Sequence, residues 1–230
     1  MKSIEELFKN NRKWAASLEV RTPGFFEALQ KKQSPGYFWI GCADSRVPAN
    51  DVVGLLPGEL FVHRNIANQV ICADLNILSA LQYAIEVLHI EHVIVCGHYN
   101  CGGVREAMNP PLHGMIDNWL SPIRNLYHSR RRRLEKLADE RLQFDRLCEW
   151  NVVEQVLNAS RTTVVQEAWH RGQYVAVHAW IYDLADGRLH DLGPCITSPE
   201  GVEELERAAG EHPDKICLRR DNPIQGKEHA

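Results

Sequence analysis

The sequence predicts an α/β fold in which a largely parallel sheet is flanked by helices. Three short apolar runs, at 37–41, 60–63 and 92–96, have the length of buried strands. Apolar residues recur at helical spacing in several segments that separate or follow these runs. Buried strands that alternate with helices are typical of parallel sheets, because a parallel connection needs a crossover that is usually helical.

The first half of the chain is predicted to begin with helices and to contain these three strands. Residues 1–33 are expected to be helical, with a break at 23–24 where Pro and Gly are adjacent. Between the second and third strands, residues 76–88 repeat apolar side chains at helical spacing, with Asp74 or Asn76 as a possible cap.

The second half of the chain is predicted to add helices and the remaining strands. The helices are expected at 104–108, 118–135, 141–170 and 198–209. Residues 174–182 alternate in polarity and predict a strand, and the Asp-Gly pair at 186–187 predicts a turn into a short edge strand. The last long helix before that strand is expected to end at Gly172.

The length and the absence of repeats favour one domain. A chain of 230 residues fits one large domain or two small ones, and no low-complexity linker divides it. We therefore expect a single domain over 1–230, with an N-terminal helical arm at 1–33 and a flexible polar tail from about 219 to 230.

Composition and charge exclude several classes of partner. The chain carries 26 Lys and Arg against 30 Asp and Glu, a net charge of −4 with neutral His. This mild acidity gives no general attraction to nucleic acid or anionic lipid. No run reaches the roughly 18 apolar residues of a membrane span, and the N-terminus lacks the apolar stretch of a signal peptide. We expect a cytoplasmic protein that binds neither nucleic acid nor membrane.

The cysteines favour reduced thiols over a disulfide framework. Their number is odd, seven, and no export signal accompanies them. Most are expected to be small buried side chains. Cys42 and Cys101 differ, because each lies close to another potential metal ligand.

Four side chains with metal-ligand chemistry follow two of the predicted strands. Cys42 and Asp44 come just past the first strand, and His98 and Cys101 come just past the third. Because sites in open α/β sheets form outside the carboxyl ends of strands, the two segments can meet at one edge. Two thiolates, an imidazole and a carboxylate suit tetrahedral zinc. The alternative is a pair of ordinary buried thiols with a hydrogen-bonded loop histidine.

The motifs around these residues resemble those of the β-class carbonic anhydrases. They are Cys-Ala-Asp-Ser-Arg at 42–46, His-Arg-Asn-x-Ala at 63–67 and His-x-x-Cys-Gly-Gly at 98–103, and the resemblance continues through 151–156 and 171–178. It implies a lyase that hydrates carbon dioxide reversibly to bicarbonate and a proton, using hydroxide on one zinc ion per subunit. It also implies the family's sheet, a helical arm that embraces a partner, and a dimer that often pairs into a tetramer.

Asp44 and Arg46 predict a gate for the fourth zinc position. When Asp44 binds zinc, four protein ligands close the site; when Asp44 turns to Arg46, the guanidinium can hold the carboxylate in bidentate fashion and open it. In the family, this aspartate also orients the hydroxide. The alternative is a surface ion pair of little energetic weight.

A finer resemblance concerns regulation. Trp39, Arg64 and Tyr182 match positions that form a non-catalytic bicarbonate site in one bacterial subgroup of the family. The resemblance implies allosteric inhibition, in which bicarbonate favours the closed state with Asp44 on zinc. A guanidinium, an indole N–H and a phenol can all donate to an oxyanion. The alternative is that Trp39 and Tyr182 are core aromatic residues.

Two other functions remain open at this level. A purely structural zinc site would stabilise a non-catalytic protein, but such a site normally has four firm ligands, and Arg46 beside Asp44 favours a site that opens. The same zinc chemistry could act on carbonyl sulfide or carbon disulfide, and the shape of the pocket would decide between these substrates.

Overall fold

A computed structural model describes residues 2–111, 114–211 and 213–216. They form two units, one that ends at Ser34 and one that begins at Pro35. The predicted tail, from about 219 to 230, lies outside the described residues, and the single-domain organisation stays a prediction. No helix in the described ranges combines the length and the apolar character needed to cross a membrane.

The first unit consists of two helices, α1 (Ile4–Arg21) and α2 (Phe25–Lys31). At the start of α1, Ser3 and Glu6 form a reciprocal capping box, with bonds of 2.9 and 3.2 Å. Gly24 separates the helices with φ of 78°, a left-handed conformation that glycine adopts without strain. The prediction of helices with a break at 23–24 is confirmed.

The second unit is built on a five-stranded sheet. Its strands are β1 (Tyr37–Cys42), β2 (Leu60–Asn65), β3 (His92–His98), β4 (Ala176–Asp183) and β5 (Arg188–Ile196). Their spatial order is β2-β1-β3-β4-β5. The first four strands pair in parallel, and β5 is an antiparallel edge strand. The predicted α/β fold with a mostly parallel sheet flanked by helices is therefore confirmed.

The helices of this unit lie between and after the strands. They are α3 (Ala49–Val53), α4 (Leu75–Gln82), α5 (Gly102–Met108), α6 (Met115–Leu134), α7 (Glu140–Ser160), α8 (Thr163–His170), α9 (Pro199–Glu211) and α10 (Pro213–Ile216). Of the two predicted caps, Asp74 is the one that caps α4, and one π-helical turn continues that helix. Alternate residues of β1 face two cores: Phe38 and Ile40 join the large core that contains α7, and Trp39 joins a smaller one.

Some predicted boundaries are wrong. The helix predicted for 141–170 is two helices, because the Thr162 hydroxyl donates to Ala159 O at 2.7 Å and accepts the N–H of Val165 at 3.4 Å, which starts α8. Strands β1 and β3 run to Cys42 and His98, so these residues end the strands rather than follow them. Strand β5 has nine residues and is not short, and α3 was not predicted.

Candidate metal centre

Three potential zinc ligands converge at one edge of the sheet. Cys42 and His98 end the neighbouring parallel strands β1 and β3, and Cys101 occupies the position just before the first residue of α5. All three are buried, and their ligand atoms lie within 4.8 Å of one another, with 3.9 Å between the two Sγ atoms. Parallel strands bring their carboxyl ends to the same edge, which explains the meeting of Cys42 and His98.

The turn between His98 and Cys101 depends on Asn100. Its φ is 58°, in the left-handed region that Asn tolerates better than most residues. The N–H of Tyr99 donates to Tyr182 O at 3.0 Å, which ties the turn to β4. The backbone therefore reverses within two residues and returns Cys101 to the site.

His98 is fixed in the tautomer that a metal ligand needs. Its Nδ1 lies 2.9 Å from Tyr99 O and donates to it, which leaves the lone pair on Nε2. Nε2 is buried and has no hydrogen-bond partner among the described residues. A buried acceptor without a partner is unfavourable, and a cation between Nε2 and the two sulfurs would satisfy it.

The two thiols share their protons unequally. The pKa of Cys42 is lowered, first by hydrogen bonding to Cys101 and further by His98, although burial opposes this. The pKa of Cys101 is raised, first by Cys42 and then by burial. Cys42 thus releases its proton readily, whereas Cys101 keeps its proton. A metal bound to both sulfurs would displace the proton of Cys101 as well. Two sulfurs and an imidazole nitrogen are a donor set that fits zinc.

Asp44 lies beside these three residues but is held by Arg46. Arg46 Nε donates to Oδ1 at 2.9 Å, Nη2 donates to Oδ2 at 2.7 Å, and the Arg46 backbone N–H adds a bond of 3.0 Å. These side-chain bonds are the main reason that the pKa of the Asp44 carboxyl lies well below its usual range. Asp44 Oδ2 is 3.7 Å from His98 Nε2. The carboxylate is therefore turned to Arg46 while it remains next to the three ligands.

Two residues support this arrangement in ways that the sequence did not reveal. Asn100 O accepts a bond of 3.2 Å from Arg46 Nη2. The Arg64 guanidinium donates to Cys42 O at 2.8 Å and to Asp44 O at 2.5 Å, and so holds the loop after β1. The sequence pattern marked Asn100 only as one of two residues between ligands, and its contact with Arg46 has no signal in that pattern.

Trp39, Arg64 and Tyr182 lie on one face of the sheet according to the strand register. Trp39 is buried in the smaller core, with Tyr182 packed at the edge of that core. The Trp39 indole covers Gly41 so closely that a Cβ there would overlap Nε1, which explains the glycine before Cys42. This packing agrees with the interpretation of Trp39 and Tyr182 as core aromatic residues, while Arg64 contacts the loop that carries Asp44.

Comparisons with known proteins point to a single family. The family model described as carbonic anhydrase matches residues 37–189, which contain Cys42, Asp44, His98 and Cys101. A carbonic anhydrase of Emericella nidulans is 45% identical over 188 residues, which are 82% of this chain and 82% of that protein.

Solved structures agree with the sequence comparison. The Coccomyxa β-carbonic anhydrase in complex with acetazolamide has a TM-score of 0.83 and 34% identity, covering 91% of this chain and 92% of that one. A tetrameric β-carbonic anhydrase of Sordaria macrospora has a TM-score of 0.80 and 33% identity, covering 84% and 98%. None of these similarities distinguishes a bacterial subgroup, so that assignment stays a prediction.

Proposed function

The chain belongs to the β-class carbonic anhydrases, and from this premise we propose that it hydrates carbon dioxide reversibly with one zinc ion. Cys42, His98 and Cys101 would hold the ion. The observation that supports this most directly is the buried His98 Nε2, which faces two thiols and has no hydrogen-bond partner among the described residues. When bound, zinc supplies Lewis acidity that makes water nucleophilic near neutral pH.

The chain itself controls access to the fourth position. Arg46 donates hydrogen bonds to both carboxylate oxygens of Asp44 and so keeps the carboxylate from binding the metal. From this position Asp44 can accept a hydrogen bond from the attacking water and orient it toward carbon dioxide. If Arg46 releases Asp44, the Oδ2 atom of Asp44 needs only a small movement to reach the fourth zinc position, because this atom already lies 3.7 Å from His98 Nε2.

The proposed function is tested by stopped-flow hydration of carbon dioxide on zinc-loaded protein at alkaline pH. Two thiolates offset the charge of the ion, so the rate should rise between about pH 6 and about pH 9. Dialysis against a chelator should abolish the activity, and stoichiometric zinc should restore it. A zinc-loaded, folded protein without activity above the buffer rate would overturn the proposal and favour a structural zinc site.

Bicarbonate inhibition through Trp39, Arg64 and Tyr182 is part of this proposal. Its support is the family resemblance together with the Arg64 bonds to Cys42 O and Asp44 O, since an anion on Arg64 would disturb the loop that carries the gate. Inhibition of the wild type by bicarbonate should weaken in Trp39→Phe, which lacks the indole N–H. Trp180→Phe, a change in the same core, is the control, and equal inhibition of all three proteins would refute the site.

We also propose that the protein self-associates as a dimer or tetramer in the cytoplasm. Helix α1 carries exposed apolar side chains at Ile4, Leu7 and Phe8, which share one helical face by their spacing. The Sordaria relative is tetrameric.

A further inference from the structure

A cavity of about 680 Å³ lies behind the gate and is lined by three arginines. Arg46, Arg105 and Arg141 form part of its wall, together with Asn100 and Phe144. Its volume is in the range of small-molecule sites. Neither Trp39 nor Arg64 lines this cavity, so it is a different place from the proposed bicarbonate site, although Tyr182 borders it.

Asn100 holds two of these guanidiniums at one corner of the cavity. Its backbone oxygen accepts from Arg46 Nη2 and its side-chain oxygen accepts from Arg105 Nη2, each at 3.2 Å. The Arg105 guanidinium also lies over the Phe144 ring, 4.1 Å from its centroid. Two planar cations are thus fixed by the same residue before any ligand arrives, which lowers the entropy that binding would cost.

The donors at this corner are not fully used within the protein. Arg46 bonds Asp44 and Asn100 through Nε and Nη2, and its Nη1 group has no hydrogen-bond partner in the described ranges. Arg105 has no carboxylate within 4 Å among the described residues. A guanidinium has five N–H donors in a planar fork, so both side chains retain donors for a further acceptor.

The acidic side chains that line the cavity have partners other than Arg105. Asp145 lies 3.8 Å from Arg141 Nε and accompanies that cation. Asp183 Oδ1 accepts the N–H of Ala185 within the hairpin turn at 2.9 Å. Arg46 is paired with Asp44, so Arg105 is the arginine of this cavity that has no acidic partner within the described part of the chain.

We propose that the corner formed by Arg46, Asn100 and Arg105 binds a tetrahedral oxyanion of the phosphate class. Such an anion offers several oxygens to two forked guanidiniums and suits Arg better than a single hydrogen bond does. An anion that binds Arg46 through both Nη1 and Nη2 takes Nη2 from Asp44 Oδ2, loosens the carboxylate and favours closure of the zinc site. The regulatory half of this inference rests on the proposed function, whereas the binding half does not.

Binding is tested by isothermal titration of the zinc-loaded protein with inorganic phosphate at constant ionic strength. We expect saturable binding at one site per chain, weakened by about 10- to 100-fold in Arg105→Gln, since hydrogen bonds to charged groups are lost. Arg105→Lys keeps the positive charge but lacks the planar set of N–H donors of a guanidinium, and it should bind phosphate with intermediate affinity. Arg132→Gln removes an equal charge from an exposed part of α6 and should bind as the wild type does.

A variant of the proposed bicarbonate site distinguishes that site from the phosphate site. Trp39→Phe should keep the phosphate affinity within about twofold, because its indole does not line the cavity. Equal affinity of the wild type, Arg105→Gln and Arg105→Lys, or no saturable binding by the wild type, would overturn the inference. Circular dichroism of each variant shows whether it is folded.

Regulation is tested in the same proteins by adding phosphate to the carbon dioxide assay. Phosphate should inhibit the wild type and Arg132→Gln alike, and the concentration for half inhibition should rise about tenfold or more in Arg105→Gln. Binding without inhibition would refute the link to the gate and leave the subsite in place. Absence of activity in every protein, with phosphate binding intact, would instead refute the proposed function.

Discussion

Asp44 is the residue on which the state of the site depends. Its carboxylate receives three N–H groups of Arg46 and lies 3.7 Å from His98 Nε2. Bidentate, charge-assisted bonds of this kind are stronger than neutral ones, and the Asp44 side chain is only 15% exposed, so water screens them incompletely. Loss of Arg46 would leave the carboxylate beside the metal ligands without the guanidinium that holds both of its oxygens.

The first prediction concerns Arg46. In Arg46→Gln, Asp44 should occupy the fourth zinc position and lower the rate of carbon dioxide hydration by about 10- to 100-fold, the range typical for loss of a residue that orients a ligand. Zinc content should stay at one per chain, as measured by atomic emission. Arg132→Gln is the matched control, and an Arg46→Gln enzyme with the wild-type rate would show that Arg46 does not operate a gate.

At the scale of elements, β3 delivers His98 because it packs tightly against α7. A Cβ on Gly97 would lie 2.5 Å from Val152 Cγ2, closer than side chains normally approach. Helix α7 is the most extensively buried helix among the described residues. The absence of a side chain at Gly97 therefore sets the distance between the strand and the helix.

The second prediction follows from this contact. Gly97→Ala should reduce the free energy of unfolding by about 1–3 kcal/mol, because an added methyl group in a packed core forces its neighbours apart. Chemical denaturation of the zinc-loaded protein measures this loss. Gly36→Ala, where a Cβ would meet nothing within 4 Å, should change stability by about 0.5 kcal/mol or less. Equal stability of the two variants would contradict the tight contact.

The third prediction concerns the contact between β3 and β4. His92 Nδ1 lies 3.1 Å from His178 Nε2, and the pKa of His178 is lowered, first by burial and then by His92. In the unfolded chain His178 takes up a proton near pH 6.5, which the folded protein resists. Stability should therefore fall as pH drops below about 6.5, by at most about 1.4 kcal/mol per pH unit for this group.

Denaturation at pH 7.5 and pH 5.5 measures this dependence. His178→Gln removes the titrating group, so the variant should lose less stability on acidification than the wild type does. His128→Gln, a change at an exposed histidine of α6, should retain the wild-type dependence. The prediction is wrong if all three proteins lose the same stability between the two pH values.

At the scale of the whole molecule, α1 has an apolar face that its own unit does not cover. Ile4, Leu7 and Phe8 are 65%, 52% and 63% exposed. Burying a large apolar side chain contributes about 1.5–3 kcal/mol, so three of them on one face favour association. This agrees with the family resemblance, which implies an arm that embraces a partner subunit.

The fourth prediction is that Phe8→Glu weakens self-association by about 10- to 100-fold, because a charge replaces a side chain expected to be buried in the assembly. Sedimentation equilibrium should show a wild-type dimer or tetramer of the 26.2 kDa chain and a shift of Phe8→Glu to smaller species. Lys9→Glu, at the adjacent exposed position, is the control. A monomeric wild type would refute the assembly.

The sequence by itself determined the α/β class and the group of residues that meet at the candidate metal centre. Buried strands can be recognised from local apolar runs in the sequence. The ligands Cys42, His98 and Cys101 lie at or near strand ends, and parallel strands bring these ends to the same edge of the sheet. The apolar pattern did not predict that α7 ends at Ser160. The helix ends there because the Thr162 hydroxyl takes over hydrogen bonds with backbone groups that would otherwise belong to a continuous helix.

Only the tertiary structure decided how the gate is supported. Asn100 contacts Arg46 across 54 residues, and Arg64 bonds Cys42 O across 22 residues, through backbone oxygens that any residue type would supply. The cavity behind the gate also depends on the folded chain, which brings Arg46, Arg105 and Arg141 together from three separate segments. Sequence spacing reveals side chains with suitable chemistry, but contacts with backbone atoms depend on where the folded chain places them.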